Sequence, residues 1–566
     1  MVMKHPVKPA PLSERPQVER THPALVLLQT DGELVAPLRA LTGLLAQTLA
    51  ADFHDAVLVI HLAAPSPLTP GIVTDAGNAD RLELPVSGDP REVAETLRER
   101  LATLFRRYAY VFVDASAPGP AFTRHLIDEL GLVDLDGAVR RLVTLTATDD
   151  GWAHLGSELP VSRRAGTSVS VSVSVSMSVS TSVIAPPAWS TLRARLLLPR
   201  AQAAPVSPPR QGLRGRVDAA RSFASRIGDR LGGSAIEPQG EQYPAARLAP
   251  ERCRVRLDLD AITAQDEPLL ARLPADARGS LSRWARAITW RRVGIALGGS
   301  GAWGYAHVAL MAELEDRGVP IDLIGGSSSG SLMGAYYCVL GRAGLDLVVA
   351  RGRSFERLVW MSIITSTVID LGVDADLGGA LLEDLEILLL PVATNLSHAR
   401  AEVMIRSTVA SAVRASASAP GIFASTITRT GLYVDGAVTD NVPVVLVERM
   451  GADLLIACNP LPPPLSVRAR TAASPLGDFL AELNPVHRLR DLLVSFELMF
   501  HDFGDCEDSA TRVVYEPASE AGALFRTFDY RRARELVSAV KREDSFREAV
   551  DRSERAWKRL ARPRAP

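Results

Sequence analysis

Ser328 is the residue around which this sequence could do chemistry. It stands at the centre of Gly326-Ser327-Ser328-Ser329-Gly330, a G-x-S-x-G preceded by the apolar run Ile321–Ile324 and followed by a helix-like stretch with Ser331 and Gly334 on its crowded side. A serine at a sharp strand-to-helix turn is exposed at the strand end. The positions two away on each side must be small, and Gly326 and Gly330 suit them. The following helix N-terminus favours negative charge developing beside the hydroxyl.

Upstream, the short apolar run Val293–Leu297 ends in Gly298-Gly299-Ser300-Gly301-Ala302-Trp303-Gly304, and Tyr305–Arg317 then has helical spacing before Gly318 and Pro320 stop it. Glycines here let backbone approach a ligand closely. The stretch from Gly299 to Gly304 also fits the G-x-G-x-x-G of dinucleotide sites, with Asp322 downstream as the candidate ribose ligand. The end of the second strand argues against that use. It offers Gly-Gly-Ser-Ser-Ser-Gly where a dinucleotide site needs an acid.

A third stretch, Gly431-Leu432-Tyr433-Val434-Asp435-Gly436-Ala437-Val438, is another short strand, ending in Asp-Gly-Ala. The Gly-rich turn, the elbow and this D-G-A, in that order, resemble the patatin-like phospholipases, nearest to the bacterial relatives of neuropathy target esterase. Ala393-Thr394-Asn395-Leu396, Val413 to Gly421 and Asp440-Asn441-Val442-Pro443 extend the likeness, which covers residues 290–465. The resemblance implies a three-layer α/β/α hydrolase domain and a Ser–Asp dyad of Ser328 and Asp435. It implies an oxyanion hole from the Gly299, Ser300 and Gly301 turn, with Gly304, Gly326, Gly330, Gly436 and Ala437 completing the motifs. The substrate would be a phospholipid, lysophospholipid or other acyl ester, with no metal and no cofactor. The chain departs from the family at Trp303, where Arg or Lys is usual, and at Ser300, where Gly is usual. An acyl-lipid-binding protein without turnover, or a transacylase, would carry the same residues. His307 sits on the helix after the turn, where packing explains it better than base chemistry. His487 and His501 follow the acid in the order a triad would need, and His398 has no motif around it.

The elements that position these residues divide the chain. Residues 1–22 read as a flexible N-terminus without a signal peptide's apolar region. Residues 23–148 alternate strand and helix: strands at Ala24–Leu28, Ala56–Leu62, Tyr108–Asp114 and Arg141–Thr146, helices at Glu33–Ala51, Arg91–Arg107 and Phe122–Leu130. That pattern predicts a smaller Rossmann-like α/β domain with a parallel sheet. It has no Walker motif, and Asp114 at a strand end reads as a solvated loop carboxylate rather than a ligand group. Residues 149–255 read as a low-complexity and basic linker, with Ser/Val alternation over Ser168–Val183 and a basic, proline-bearing run over Pro199–Arg230. Residues 256–465 form the catalytic domain, opened by short helices over 256–290 expected to pack on it. Leu358, Trp360, Met361, Ile363, Ile364 and Ile369 serve there as core or acyl groove. Ser416 and Ser418 read as local helix-end hydrogen bonding. The C-terminal region, 466–566, reads as helical, with helices over Phe525–Lys541 and Asp544–Leu560.

Composition fits this plan. Of 566 residues, 47% are hydrophobic and 23% charged, as in ordinary globular proteins, and a net charge of −2 provides no field for nucleic acid. The four cysteines are far apart and form no C-x-x-C, so neither a zinc site nor a disulfide framework is indicated. Cys338 and Cys458 read as buried thiols of a reducing, cytoplasmic compartment. No apolar run is long enough to span a bilayer, so membrane contact would be peripheral. Oligomeric state is not written in the sequence.

Overall fold

A computed structural model describes residues 24–30, 35–63, 72–74, 79–85, 89–115, 139–147, 153–158, 238–243, 253–255, 269–362, 367–461, 512–515 and 529–564, with single positions 122, 125, 126 and 129. The Ser/Val repeat, the basic run, Ile363, Ile364, His487, His501 and most of Phe122–Leu130 lie outside the described residues, as does the Trp360 side chain.

The first sheet is built from β1 (Ala24–Thr30), β2 (Val57–Ala63), β3 (Ile72–Thr74), β4 (Asp80–Pro85), β5 (Tyr110–Asp114), β6 (Val139–Ala147) and β7 (Ala153–Glu158). Among the described residues its eight strands run β3-β4-β2-β5-β1-β6-β7-β9, where β9 is Cys253–Val255. The central pairings β4-β2, β2-β5, β5-β1 and β1-β6 are parallel, as the strand–helix alternation predicts. Helix α1 (Val35–Phe53) joins one core with Val26, Leu28, Tyr110 and Phe112, while α2 (Pro90–Leu104) joins the opposite core with Leu25, Leu27, Val111 and Val113. Side chains alternating along each strand therefore face two different helical layers. Asp89 caps α2 by accepting from the Arg91 N–H at 2.9 Å, with Pro90 at the first helical position. Asp114 departs from expectation. It is buried at the end of β5, its Oδ2 2.9 Å from Nδ1 of buried His61 on β2. A carboxylate there needs a polar partner, and the neighbouring strand supplies one.

Among the described residues the second sheet has nine strands in the order β14-β15-β12-β11-β10-β16-β17, with β13 paired to β12 and β8 paired to β13. These are β8 (Gln239–Gln242), β10 (Val293–Leu297), β11 (Leu323–Ser327), β12 (Leu388–Asn395), β13 (Arg400–Arg406), β14 (Thr426–Thr428), β15 (Gly431–Asp435), β16 (Leu454–Cys458) and β17 (Arg512–Tyr515). The centre, β12-β11-β10-β16-β17, is parallel. Around it lie α3 (Ala275–Ile288), α4 (Tyr305–Asp316), α5 (Ser329–Leu340), α6 (Arg342–Ala350), α7 (Gly352–Ser362), α8 (Thr367–Leu377), α9 (Val409–Ser416), α10 (Val444–Arg449), α11 (Ala533–Val540) and α12 (Asp544–Leu560). Ile295, Leu297 and Ile324 pack into a core with α4, α5, α9 and α12, whereas Ala296, Leu323 and Val392 face α10. A Cβ at Gly294 or Gly325 would run into Val447, so these glycines let α10 lie close on the sheet. Helices on both faces of a largely parallel sheet make the expected three-layer α/β/α domain.

Three spans differ from the sequence reading. The linker span contributes β7 and β9 to the first sheet and β8 to the second. The C-terminal span contributes strand β17 beside β16 as well as helices. The helix before the catalytic strand, α3, buries Leu281, Trp284 and Ile288 with α1 of the first sheet, instead of packing only on the second. Its polar side does reach the second sheet, where Arg286 forms a bidentate pair with Asp322, Nη2 to Oδ1 at 2.7 Å and Nε to Oδ2 at 3.0 Å.

Candidate active site

The elbow is built by close approach. Ser328 lies between β11 and α5 with φ 50° and ψ −119°, a left-handed conformation that costs a non-glycine residue about 1–3 kcal/mol. The surroundings hold it there. A Cβ on Gly326 would lie 2.6 Å from the Ser331 N, and one on Gly330 would collide with the Leu297 carbonyl. Larger residues at either position would push the turn open. Ser331 Oγ donates to the Gly326 carbonyl at 2.6 Å, and Ser416 Oγ accepts from the Ser328 N–H at 3.0 Å. Ser416 and Ser331 hydroxyls are 2.7 Å apart. Ser416 therefore acts across 88 positions of sequence, not locally as its place at a helix end suggested.

The carboxyl arrives by strand register. β12 pairs with β11 through Ser327 and Val392, and with β15 through Asp435 and the adjacent Ala393. The ends of β11 and β15 thus meet one residue apart along β12. A Cβ on Gly436 would stand 3.0 Å from Ser327 Oγ. Asp435 is buried; its N–H donates to the Ser418 carbonyl at 2.9 Å, and its Oδ1 accepts from the Ala437 N–H at 2.9 Å. Oδ2 is buried and has no hydrogen bond within ordinary limits among the described residues. Burial pushes this carboxyl up to about 7, partly offset by the Ala437 N–H and the neighbouring Ser328 hydroxyl. Ser328 thus influences Asp435 electrostatically without a fully formed hydrogen bond, and such bonds are often long before substrate binds.

The Gly-rich turn lies alongside. A Cβ on Gly299 would be 2.9 Å from the Ser328 Cβ. Two of the three expected oxyanion donors are already engaged. The Gly299 N–H donates to Asn441 Oδ1 at 2.7 Å, and the Ser300 N–H donates to Ser329 Oγ at 2.9 Å. The Gly301 N–H has no bond among the described residues, and Gly301 has φ 58°. Ser300, unusual at its position, adds its own hydroxyl 3.1 Å from Ser329 Oγ. Trp303 is buried on the one-turn helix that opens α4.

His307 anchors the turn from behind. Its Nε2 lies 2.7 Å from the Gly298 carbonyl and its Nδ1 3.2 Å from Cys458 Sγ. Burial lowers its pKa to about 4, the Gly298 carbonyl opposing, so the ring is neutral at pH 7. A proton on Nε2 and a Cys458 S–H donating to Nδ1 satisfy both contacts. Among the described residues no histidine bonds to Ser328 or Asp435. Asp322, the candidate ribose ligand, precedes β11 at the end of the strand opposite Ser328. Burial raises its pKa, but the Arg286 charge and hydrogen bonds outweigh this and hold it below the usual range. The dinucleotide arrangement is absent.

Sequence reasoning missed Asn441, Ser416 and Ser329 as anchors of the site. Asn441 stood in the quoted Asp-Asn-Val-Pro, but only folding across 142 positions reveals its partner.

A parallel-centred α/β/α domain with a strained serine elbow, a glycine turn and a buried aspartate on adjoining strand ends defines the class. Residues 295–447 match the model of the patatin-like phospholipase family. It is 31% identical over 195 residues to lysophospholipase nte1 of Emericella nidulans, covering 32% of this chain and 12% of that protein. Lysophospholipase nte1 of Aspergillus fumigatus is 32% identical with the same coverage, and that of Yarrowia lipolytica is 29% identical, with 13% of its length covered. The match thus spans about an eighth of these curated relatives. VipD from Legionella pneumophila aligns over 44% of this chain and 67% of its own at 14% identity, with a TM-score of 0.22. The expected patatin-like and neuropathy-target-esterase kinship is borne out by the family match and the relatives' names.

Proposed function

We propose that this protein is a serine esterase acting on phospholipid or lysophospholipid esters at a membrane surface, through a Ser328–Asp435 dyad. One observation carries this reading: a serine held in a left-handed elbow beside a buried aspartate whose Oδ2 is unbonded and whose pKa stands near 7. A base with that pKa suits proton transfer at neutral pH. Ser328 Oγ attacks the acyl carbonyl as Asp435 accepts its proton. Asp435 then returns the proton to the leaving alkoxide as the C–O bond breaks. Water attacks the acyl-enzyme, giving its proton to Asp435, and the fatty acid leaves as Ser328 recovers a proton. The unbonded Gly301 N–H supports it as one oxyanion donor, with the N–H of Ser329, the residue after the nucleophile, as the second. The Gly299 and Ser300 N–H groups hold the turn instead. Each oxyanion donor contributes about 3–4 kcal/mol in comparable sites.

A fluorophosphonate probe tests the dyad. The folded wild type labels, Ser328→Ala does not, and Asp435→Asn labels at least about a hundredfold more slowly. A folded wild type that stays unlabelled would overturn the hydrolase reading and favour an acyl-lipid-binding protein.

A further inference from the structure

A buried hydroxyl without a hydrogen bond has given up water for nothing, unless a ligand supplies the partner. Tyr530 carries such a hydroxyl. It opens the one-turn helix Tyr530–Arg532 just before α11, beyond the residues that match the family model. The residue is 7% exposed, and its hydroxyl makes no hydrogen bond among the described residues.

Packing fixes where the ring stands. A Cβ on Gly352, at the start of α7, would collide with the Tyr530 carbonyl, so the backbone lies directly against that helix. The ring meets Tyr305 edge to face, with centroids 6.2 Å apart and planes at 74°. Tyr305 is itself fixed. It is fully buried, and its hydroxyl donates to the Val348 carbonyl at 3.4 Å. It directly follows Gly304, so Tyr530 rests against the exit of the glycine turn.

The hydroxyl end points away from its chain neighbours. Arg531 and Arg532 face solvent, where Arg531 pairs with Asp529 and Glu356, and Arg532 with Glu535. Burial pushes the Tyr530 phenol well above its ordinary pKa, and the charge that adds to this is that of Asp435, not that of a chain neighbour. The hydroxyl therefore faces the carboxyl of the site and keeps its proton at neutral pH, as a donor. The amide donors assigned to the oxyanion lie on the turn and at the start of α5. Asp435 is the group that hands a proton to the departing alcohol, so a donor beside it stands on the alcohol side of the scissile bond.

We infer that the Tyr530 hydroxyl hydrogen-bonds the departing oxygen of the ester, so that the C-terminal segment completes the site for esters of basic alkyl alcohols such as glycerol. This rests on the proposed esterase reading. As the C–O bond breaks, its electron pair passes to that oxygen and Asp435 supplies the proton. Tyr530 keeps its own proton and donates only a hydrogen bond.

The experiment compares wild type with Tyr530→Phe on two soluble esters of one acid, glyceryl monobutyrate and p-nitrophenyl butyrate. It reads kcat/KM, which reports the steps through departure of the alcohol, and the unfolding midpoint. Glycerol leaves as a basic alkoxide that needs a donor, whereas p-nitrophenolate spreads its charge and leaves unaided. The variant is expected to lose about tenfold to a hundredfold on the glyceryl ester. On the p-nitrophenyl ester it should stay within about threefold of wild type, because the donor has little charge to stabilise there. Its unfolding midpoint should be unchanged or higher, since the hydroxyl removed has no protein partner. Equal losses on both esters, or no loss on either, overturn the inference while the esterase reading stands. A lowered unfolding midpoint overturns it too, by showing that the hydroxyl serves the fold. A folded wild type that cleaves neither ester overturns the esterase reading and this inference with it.

Discussion

On the proposed esterase reading, Asp435 trades stability for reactivity. Its folded pKa, about 7, lies above the ordinary carboxyl value because the group is buried. The unfolded chain therefore releases this proton more readily than the folded one. The folded state is favoured fully only below the unfolded pKa, and the advantage is lost as pH rises toward 7. Asp435→Asn keeps the bond from Ala437 while removing the charge. It should stabilise the fold at pH 8, by up to about 4 kcal/mol, with little effect at pH 4. Thermal unfolding at the two pH values checks this. In the wild type, kcat/KM should rise with pH and level off above about 7, with no contribution from His307, which is already neutral. Asn441→Ala frees the Gly299 N–H from its anchor. We expect kcat to fall about 10–100-fold with KM little changed, because the loss is felt mainly as the oxyanion forms. Steady-state kinetics on a soluble ester measures the split.

At the scale of elements, β12 sets the geometry. Its single register aligns β11 and β15 so that Ser327 and Asp435 face consecutive residues. A second tie comes from the end of α9, where Ser416 holds the Ser328 N–H and the Ser418 carbonyl holds the Asp435 N–H. Edge strand β8 adds a third. Tyr243, just after it, donates to Asp440 Oδ2 at 2.9 Å, and the Asp440 carbonyl accepts from Ser327 Oγ at 2.7 Å. Tyr243→Phe leaves the half-buried Asp440 carboxyl without that donor, and should lower stability by about 1–3 kcal/mol in urea unfolding.

These elements were unequally legible. Val293–Leu297 and Leu454–Cys458 are continuous apolar runs and are strands buried on both faces. The elbow and the Asp-Gly-Ala were visible because backbone geometry restricts the residue types nearby. β8, Gln-Gly-Glu-Gln, has no apolar alternation and becomes a strand only because β13 offers an open edge. The three anchoring side chains were hidden for another reason. A Ser or Asn bonded to distant backbone has the same local sequence as one bonded to water.

In the molecule as a whole, distant segments meet at Arg291. Its guanidinium is fully buried and pairs with Asp55 at the end of α1, Nη2 to Oδ1 at 3.0 Å. Nε donates to the Leu560 carbonyl at 3.2 Å and Nη2 to the Arg562 carbonyl at 3.0 Å, while the Arg564 N–H donates to Asp55 Oδ1 at 2.8 Å. The ring of Phe53 lies 4.4 Å from the guanidinium carbon. Arg291→Met would leave Asp55 charged and buried, costing about 3–5 kcal/mol. Adding Asp55→Asn should restore part of that, with the two changes coupled and not additive. Calorimetry on the four proteins of the cycle measures it.

That junction also orders events during synthesis. Asp55 leaves the ribosome early, yet the backbone N–H of Arg564 that bonds it lies 509 positions later. Until Arg564 is made, Asp55 has only Arg291 of these partners to pair with. Strand β17, which borders β16, is likewise made long after the centre of its sheet. Contacts of such sequence separation form slowly and leave intermediates with sticky surface. A nascent chain stalled or cut before the tail would hold the serine, the aspartate and the glycine turn, yet lack the clasp that closes the fold.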